Sequence, residues 1–414
     1  PGASRRRPTT LSPRTQITPN SAPPPAPGWR QWVGFCLAFF CFWASLYIYM
    51  PTFPVYAEGL GASLTMVGLI IASYGFVQFA LRIPIGYLSD KRGSRLPFIL
   101  IGLLANLVGA VGMALFPTPF LLIVWRGFHG IGAASFVTSA VYFAGFFQPD
   151  QTTRATGLLV FMTALSQVVI SMAGGILAEQ FGVPFTFWSA AVIAAVGFAA
   201  MLLAGERAAP VRRPMTIRRF RGVLGIRSLI TSSGIGALSQ FVTFGLNISF
   251  IPIFAHTLGA TKTDLGTLTT ISYVTYGLAA LLSAVGGRRF GERAFVIAGS
   301  LFTTVTILVL PAIDTVPVLL LLLAVNSFAR GMVFPVLMGI SIREVPEYER
   351  ASAMGVFQSV YAIGMFAGPA VAGVVADAIG ITGLFLFIAA FPVLSALSAL
   401  AWLPSRVRAL ATST

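Results

Sequence analysis

The sequence predicts an all-α polytopic membrane protein whose twelve transmembrane helices form two six-helix, pseudo-symmetric halves. Three observations carry this reading: apolar runs of spanning length recur along the chain, basic residues gather in alternate loops, and short motifs return after 198 residues. Of 414 residues, 56% are hydrophobic and 9% charged, and the mean hydropathy is +0.86. Soluble chains carry about 25% charged residues, so a water-soluble fold has no means of hiding this much apolar surface.

About 20 apolar residues, rising 1.5 Å each, cross the roughly 30 Å hydrocarbon layer of a bilayer. Spans are expected at 31–55, 65–88, 96–116, 119–146, 154–179, 184–204, 228–255, 265–286, 294–312, 317–341, 351–377 and 381–403. Cys36 and Cys41 lie five apart within the first run, on different faces of a helix, so neither a disulfide nor a metal site is expected and they read as lipid-facing or packing residues.

A formal charge of +15 would point to nucleic acid in a soluble chain. With both termini placed in the cytoplasm, however, 23 of the 27 Lys and Arg residues fall on the cytoplasmic side. Lys262 alone falls in an outward loop, while Arg82, Arg126 and Arg330 fall inside spans. This is the positive-inside asymmetry, and it sets the even span count and the orientation together. The charge reports topology, and no nucleic-acid partner is expected.

The longest polar stretch between spans, residues 205–227, divides the runs six and six and carries seven arginines. It is expected to be a basic cytoplasmic linker between an N-terminal half, 31–204, and a C-terminal half, 228–404. Residues 1–30, rich in Pro, Ser, Thr and Arg, are expected to form a disordered cytoplasmic tail, and 405–414 a second tail. Gly93-Ser94-Arg95 after span two returns as Gly291-Glu292-Arg293 after span eight. Glu179 and Asp377 end spans five and eleven, and Arg154 and Arg350 open the same two spans in similar contexts. Repeats of this kind build many secondary transporters, with the solute site at the interface of the halves.

Between spans two and three the chain reads Gly86-Tyr87-Leu88-Ser89-Asp90-Lys91-Arg92-Gly93-Ser94-Arg95. Charges and a turn-forming glycine in so short a cytoplasmic loop resemble the signature loop of the major facilitator superfamily (MFS), and the resemblance spans about residues 31–404. Among its members, the 12-helix bacterial drug and sugar efflux permeases are the most similar. The resemblance implies the MFS fold and a gating role for this loop, in which Asp90 helps lock the halves in the outward-open state. Arg350 and the start of span eleven offer a cation and a positive helix end as its partners. The position matching Asp90 in the second half is Arg288, so symmetric locking is not expected. Span four carries Arg126-Gly127-Phe128-His129-Gly130-Ile131-Gly132, similar to the Arg-x-x-x-Gly-x-Gly pattern of proton-coupled exporters in that family. The fifth-helix exporter signature departs: Gly174-Gly175 are present, but Ile170-Ser171 stand where Gly-Pro is expected, and Gly368-Pro369 appear in span eleven instead. These glycines and Pro369, with Gly130 and Gly132, are expected at close helix contacts.

In that family spans one, four, seven and ten line the central cavity, which nominates Trp43 and Tyr47, Arg126 and His129, Gln240, Thr243 and Asn247, and Asn326 and Arg330. An arginine inside a span costs about 2.5–3.5 kcal/mol on insertion scales and is by default a functional hypothesis, here a substrate or coupling role for Arg126 and Arg330. The alternative is a structural arginine satisfied by carbonyls or water. Arg82, one turn from Gly86, reads as snorkelling to the cytoplasmic face. No acidic residue falls mid-span. His129 is the one group there that titrates near neutrality, a candidate proton carrier or else a hydrogen-bonded packing residue.

The expected function is secondary active transport of a small organic solute by alternating access, in proton-coupled export. Uptake or exchange of an organic anion is the alternative, because the cavity has two cations and no carboxylate. A sensor or a lipid-handling protein on the same scaffold is the competing class. There is no nucleotide loop, no metal-ligand cluster and only two His, so neither an enzyme nor a cofactor is expected and the proton motive force is the anticipated energy source. The chain is expected to act as a monomer in the bilayer of the inner or plasma membrane.

Overall fold

The computed structural model describes residues 27–148, 151–206, 225–345 and 350–403; the expected tails and most of the expected linker lie outside them. All regular structure among the described residues is helical. Ten helices among the described residues are long and apolar enough to cross a bilayer. The last of these holds two spans, because Arg350–Trp402 is interrupted at Gly380, whose φ of 76° and ψ of 171° are not helical. The first span is broken instead, into Trp29–Tyr47 and Phe53–Gly59. Pro51 lies in the break and has no N–H to give the preceding turn, while Pro54 sits in the first turn of the second piece, where that N–H is not needed. Twelve spans result.

Spans two to six are Leu64–Arg92, Leu96–Leu115, Pro119–Ala134 continued by Phe136–Ala144, Thr152–Phe181 and Val183–Ala204. Span seven is Arg227–Val242, a π-helical turn Thr243–Ile248, and Ile251–Thr257. Spans eight to ten are Lys262–Phe290, Glu292–Val309 and Val316–Arg343. Lys91, Arg92, Arg95, Arg227, Arg293, Arg343 and Arg350 all lie toward one end of the bundle, called the basic end below.

The halves repeat turn for turn. Phe53–Gly59 and Leu64–Arg92 return, 198 residues on, as Ile251–Thr257 and Lys262–Phe290. Among the described residues, six of the seven glycines with positive φ pair at the same offset: Gly61 with Gly259, Gly93 with Gly291, and Gly182 with Gly380. Each ends a helix in a backbone region that side chains resist, so the repeat is written into the turns as well as the spans.

Small residues set the helix spacing. Within the first half, a Cβ on Gly174 would collide with the Ile48 carbonyl oxygen, and one on Gly132 with the Asn106 amide. Between the halves, Gly68 lies against the Pro369 carbonyl, and Gly175 against Gly266, where an added Cβ would stand 2.8 Å from the facing Cα. A Cβ on Gly75 would come within 2.9 Å of the Met365 oxygen, the carbonyl that Pro369 leaves without its helical donor. On the outside, large apolar side chains such as Phe120, Leu203 and Leu281 stand exposed, as lipid-facing residues do.

At the end away from the basic loops, two carboxylates cross between the halves. Asp377, closing span eleven, accepts from the Leu64 and Thr65 amides at the start of span two, at 3.1 and 2.8 Å. Glu179, closing span five, accepts from the Lys262 amide at the start of span eight, at 2.7 Å. Donor and acceptor alike are related by the 198-residue offset. Each carboxylate meets unpaired helix N–H groups and the positive end of a helix dipole. At the basic end, Asp90–Arg95, Ser94–Glu206, Arg343–Glu292 and Ser228–Glu344 each join residues of one half only.

Two predictions follow from this packing. Gly174→Ala lowers thermal stability in detergent by the equivalent of about 1–3 kcal/mol, the usual cost of overpacking, whereas Gly157→Ala, with open space at its Cβ, leaves the melting temperature unchanged. The double substitution Glu179→Ala with Asp377→Ala frees the crossed contacts, so spin labels on the ends of spans two and eleven away from the basic loops move to longer separations.

Candidate functional site

A cavity of ≈ 230 Å³ lies between the halves, mostly against the second. Span seven lines it with Ser239, Gln240, Thr243, Phe244 and Asn247, span eight with Thr269, Ser272, Tyr273 and Tyr276, and span ten with Leu323, Arg330 and Phe334. Tyr47 and Gln167 close it from the first half. The π-turn aims span seven's polar groups into this space: its wider winding lets Asn247 Nδ2 reach the Val242 oxygen at 3.4 Å, five residues back, and Ser249 Oγ the Phe244 oxygen at 2.7 Å. Such turns recur where a helix must present a site. Gly245 allows span eleven to approach here, at Gly368.

Arg330 is the cavity's one full charge among its lining residues. Its Nε donates to Asn326 Oδ1 at 3.2 Å, one terminal nitrogen to Thr243 Oγ1 at 3.1 Å and the other to Ser327 Oγ at 3.0 Å. Asn326 is itself anchored, its Nδ2 donating to Thr306 Oγ1 at 2.7 Å. The guanidinium is thus held in place by neutral acceptors that leave its charge uncompensated. Among the described residues no carboxylate is buried, and the buried cationic side chains are Arg82, Arg95, Arg126 and Arg330. Of these, Arg95 has a carboxylate partner, Asp90, with Ser89 Oγ 2.5 Å away.

The first half holds a separate polar cluster. Arg126 donates to the Tyr49 hydroxyl at 2.6 Å and lies 4.5 Å over the Tyr74 ring, a cation–π contact. His129 turns inward between spans three and four: its Nδ1 is 3.0 Å from the Trp125 oxygen and its ring packs against Gly109. Tyr49 meets that ring edge-on at 5.4 Å. Tyr47 reaches across to Tyr273, ring centroids 5.8 Å apart, joining the cluster to the cavity wall. Trp43 packs among Phe39, Phe42, Tyr47 and Phe136.

Arg82 does not snorkel. Span two runs to Arg92, so Arg82 lies ten residues from its end, about 15 Å at 1.5 Å per residue. It is 4% exposed and donates to Gln358 Oε1 of span eleven at 3.0 Å, with the Tyr361 hydroxyl at 3.4 Å. In the gating loop, Gly93 takes φ 68° to end span two, Lys91 is exposed and Asp90 pairs with Arg95 of its own half. Gly86 accepts from Ser89 Oγ at 3.1 Å. The Arg288 side chain lies outside the described residues.

Of the nominated residues, the structure brings Tyr47, Gln240, Thr243, Asn247 and Arg330 to one cavity, with Asn326 behind them. Arg126 and His129 belong to the neighbouring first-half cluster, and Trp43 packs in an aromatic group beside Tyr47. Gln167, Tyr273 and Tyr276 were not nominated, because spans five and eight were not among the four chosen; the polar spacing of Thr269, Ser272, Tyr273 and Tyr276 along one helix face was the available signal. No group of three or more His, Cys, Asp or Glu among the described residues is placed to hold a metal.

The sequence model for the Major Facilitator Superfamily matches residues 35–241 and 233–414. An uncharacterised MFS-type transporter of Methanocaldococcus jannaschii is 24% identical over 355 residues, covering 83% of this chain and 90% of that one. Multidrug resistance protein MdtG of Escherichia coli is 23% identical over 382 residues, covering 89% and 93%. Among solved structures, a bacterial homologue of the human lysosomal transporter Spinster, in an inward-facing and unoccupied conformation, superposes with a TM-score of 0.74 at 16% identity, covering 90% of this chain and 98% of that one. With two six-helix halves around a central cavity and a family match over nearly its whole length, the chain belongs to the Major Facilitator Superfamily and is a multi-pass membrane transporter.

Proposed function

We propose that this transporter moves a small organic anion by alternating access, binding its acidic group at Arg330. The observation that carries the reading is a buried guanidinium bonded only to neutral acceptors, in a cavity walled by tyrosines, amides and hydroxyls. A buried charge without a counter-charge is costly, and an entering carboxylate or phosphate relieves that cost through charge-assisted hydrogen bonds. A cationic drug would meet the same charge as repulsion. The aromatic rings favour a solute with an apolar or planar body.

The basic end is read as cytoplasmic, by the positive-inside asymmetry, in an inner or plasma membrane. On that orientation the crossed carboxylates hold the outward side closed. Export is the favoured direction: an anion leaving an inside-negative cell gains about 2.3 kcal/mol per 100 mV. Proton-coupled export is the second reading, favoured by the Arg126–Gly132 motif and by the likeness to a multidrug resistance protein. His129 would be its proton carrier.

Flux assays in proteoliposomes test the reading. Arg330→Ala lowers uptake of a labelled aromatic monocarboxylate such as benzoate about 10- to 100-fold, the equivalent of a lost charged hydrogen bond worth about 1.5–3 kcal/mol. Unchanged benzoate flux in that variant, alongside intact export of a cationic dye, overturns it.

A further inference from the structure

Arg330 has all three kinds of guanidinium nitrogen bonded, whereas the first half's arginines do not. The Nε atoms of Arg82 and Arg126 are buried and have no hydrogen-bond partner, and neither has Gln78 Oε1 between them. Exposure is 4% for Arg82 and 3% each for Arg126 and Gln78. Buried polar atoms almost always find partners, so each orphan asks for an explanation.

These groups share one wall. Tyr74, Gln78 and Arg82 follow at intervals of four on span two and so lie on one face. That face looks toward the bundle centre: Tyr74 stacks on Phe244 of span seven at 6.2 Å and carries Arg126 on its ring, while Arg82 bonds Gln358 and Tyr361 of span eleven. Phe244 lines the cavity, and Tyr361 packs at 5.3 Å on Phe334, which lines it too. The orphaned stripe therefore meets the cavity wall directly at Phe244, through Tyr74, and indirectly at Phe334, through Tyr361.

We propose that Arg126 and Arg82, with Gln78 between them, form a second acid-binding subsite on the first half, so that the transported solute carries two acidic groups, one for Arg330 and one for this pair. Guanidinium N–H groups can only donate, and they match carboxylate and phosphate oxygens in bidentate pairs. A solute bound at both ends bridges the two halves. Its binding energy is then available to draw them together, as alternating access requires. Gln78 Oε1, an acceptor, would take a donor from the same solute.

This inference rests on the Arg330 reading, and one titration separates the two. Purified full-length protein is titrated with linear α,ω-dicarboxylates of four to ten carbons and with monocarboxylates of equal length, following thermal stabilisation. At one chain length the dicarboxylate binds at least about tenfold tighter, a difference of about 1.4 kcal/mol. Arg82→Gln and Arg126→Gln each bring that ratio to about one, and Arg82→Lys, which keeps charge but not the planar fork, restores part of it. Dicarboxylates no tighter than monocarboxylates at every length overturn the second subsite. So does a ratio that stays high in Arg82→Gln, the variant that leaves the Tyr49–Tyr74 cluster intact. Wild-type protein stabilised by neither class overturns the Arg330 reading, and the second subsite with it.

Discussion

A guanidinium carried into hydrocarbon has to find its partners inside the protein, because the lipid offers none and the pKa of arginine is too high for the charge to be shed. This chain places Arg82, Arg126 and Arg330 well inside its spans and buries no carboxylate among its described residues to meet them. Much of the interior answers to that arrangement. Thr243, Asn326 and Ser327 collect around Arg330, Tyr49 and Tyr74 around Arg126, and Gln358 and Tyr361 around Arg82. Neutral oxygens and aromatic faces hold the cations in position without neutralising them. The bundle centre is left electropositive, and the proposal of an anionic solute rests on that feature.

The acids sit elsewhere, and their placement is equally consequential. Glu179 and Asp377 are at helix ends and reach across to the helix starts of the opposite half. The two-fold repeat makes these contacts mates, so the closed end is fastened symmetrically. The cavity is not symmetric. Arg330 falls opposite Gly132 in the repeat, and Arg126 has no arginine mate in span ten. The repeated scaffold thus supplies matching turns and fasteners, while the cavity wall differs between the halves.

Much of the fold was legible in the sequence because the bilayer imposes it: length, charge asymmetry and the 198-residue echo each follow from spanning hydrocarbon twice six times. Gly93 with Gly291, and Glu179 with Asp377, were visible as repeat mates. What the carboxylates touch was not, since Leu64 and Asp377 are 313 residues apart and helix pairing leaves no local mark. Arg82 was misread because span two runs about one turn past its expected end, which moves the residue from the headgroup zone into the core. The cavity's first-choice residues on span seven were legible as a polar stripe, but the π-turn that aims them was not. Its six residues, Thr243–Ile248, show no proline or charge that would signal it.

The central claim is that the bundle interior is built to accept negative charge. Charge movement on a solid-supported membrane addresses it directly, by adding benzoate to proteoliposomes and recording the sign of the displaced charge. The account predicts a saturable entry of negative charge as the anion binds and crosses. Silence toward every anion, together with entry of positive charge when a cationic dye is added, would contradict it.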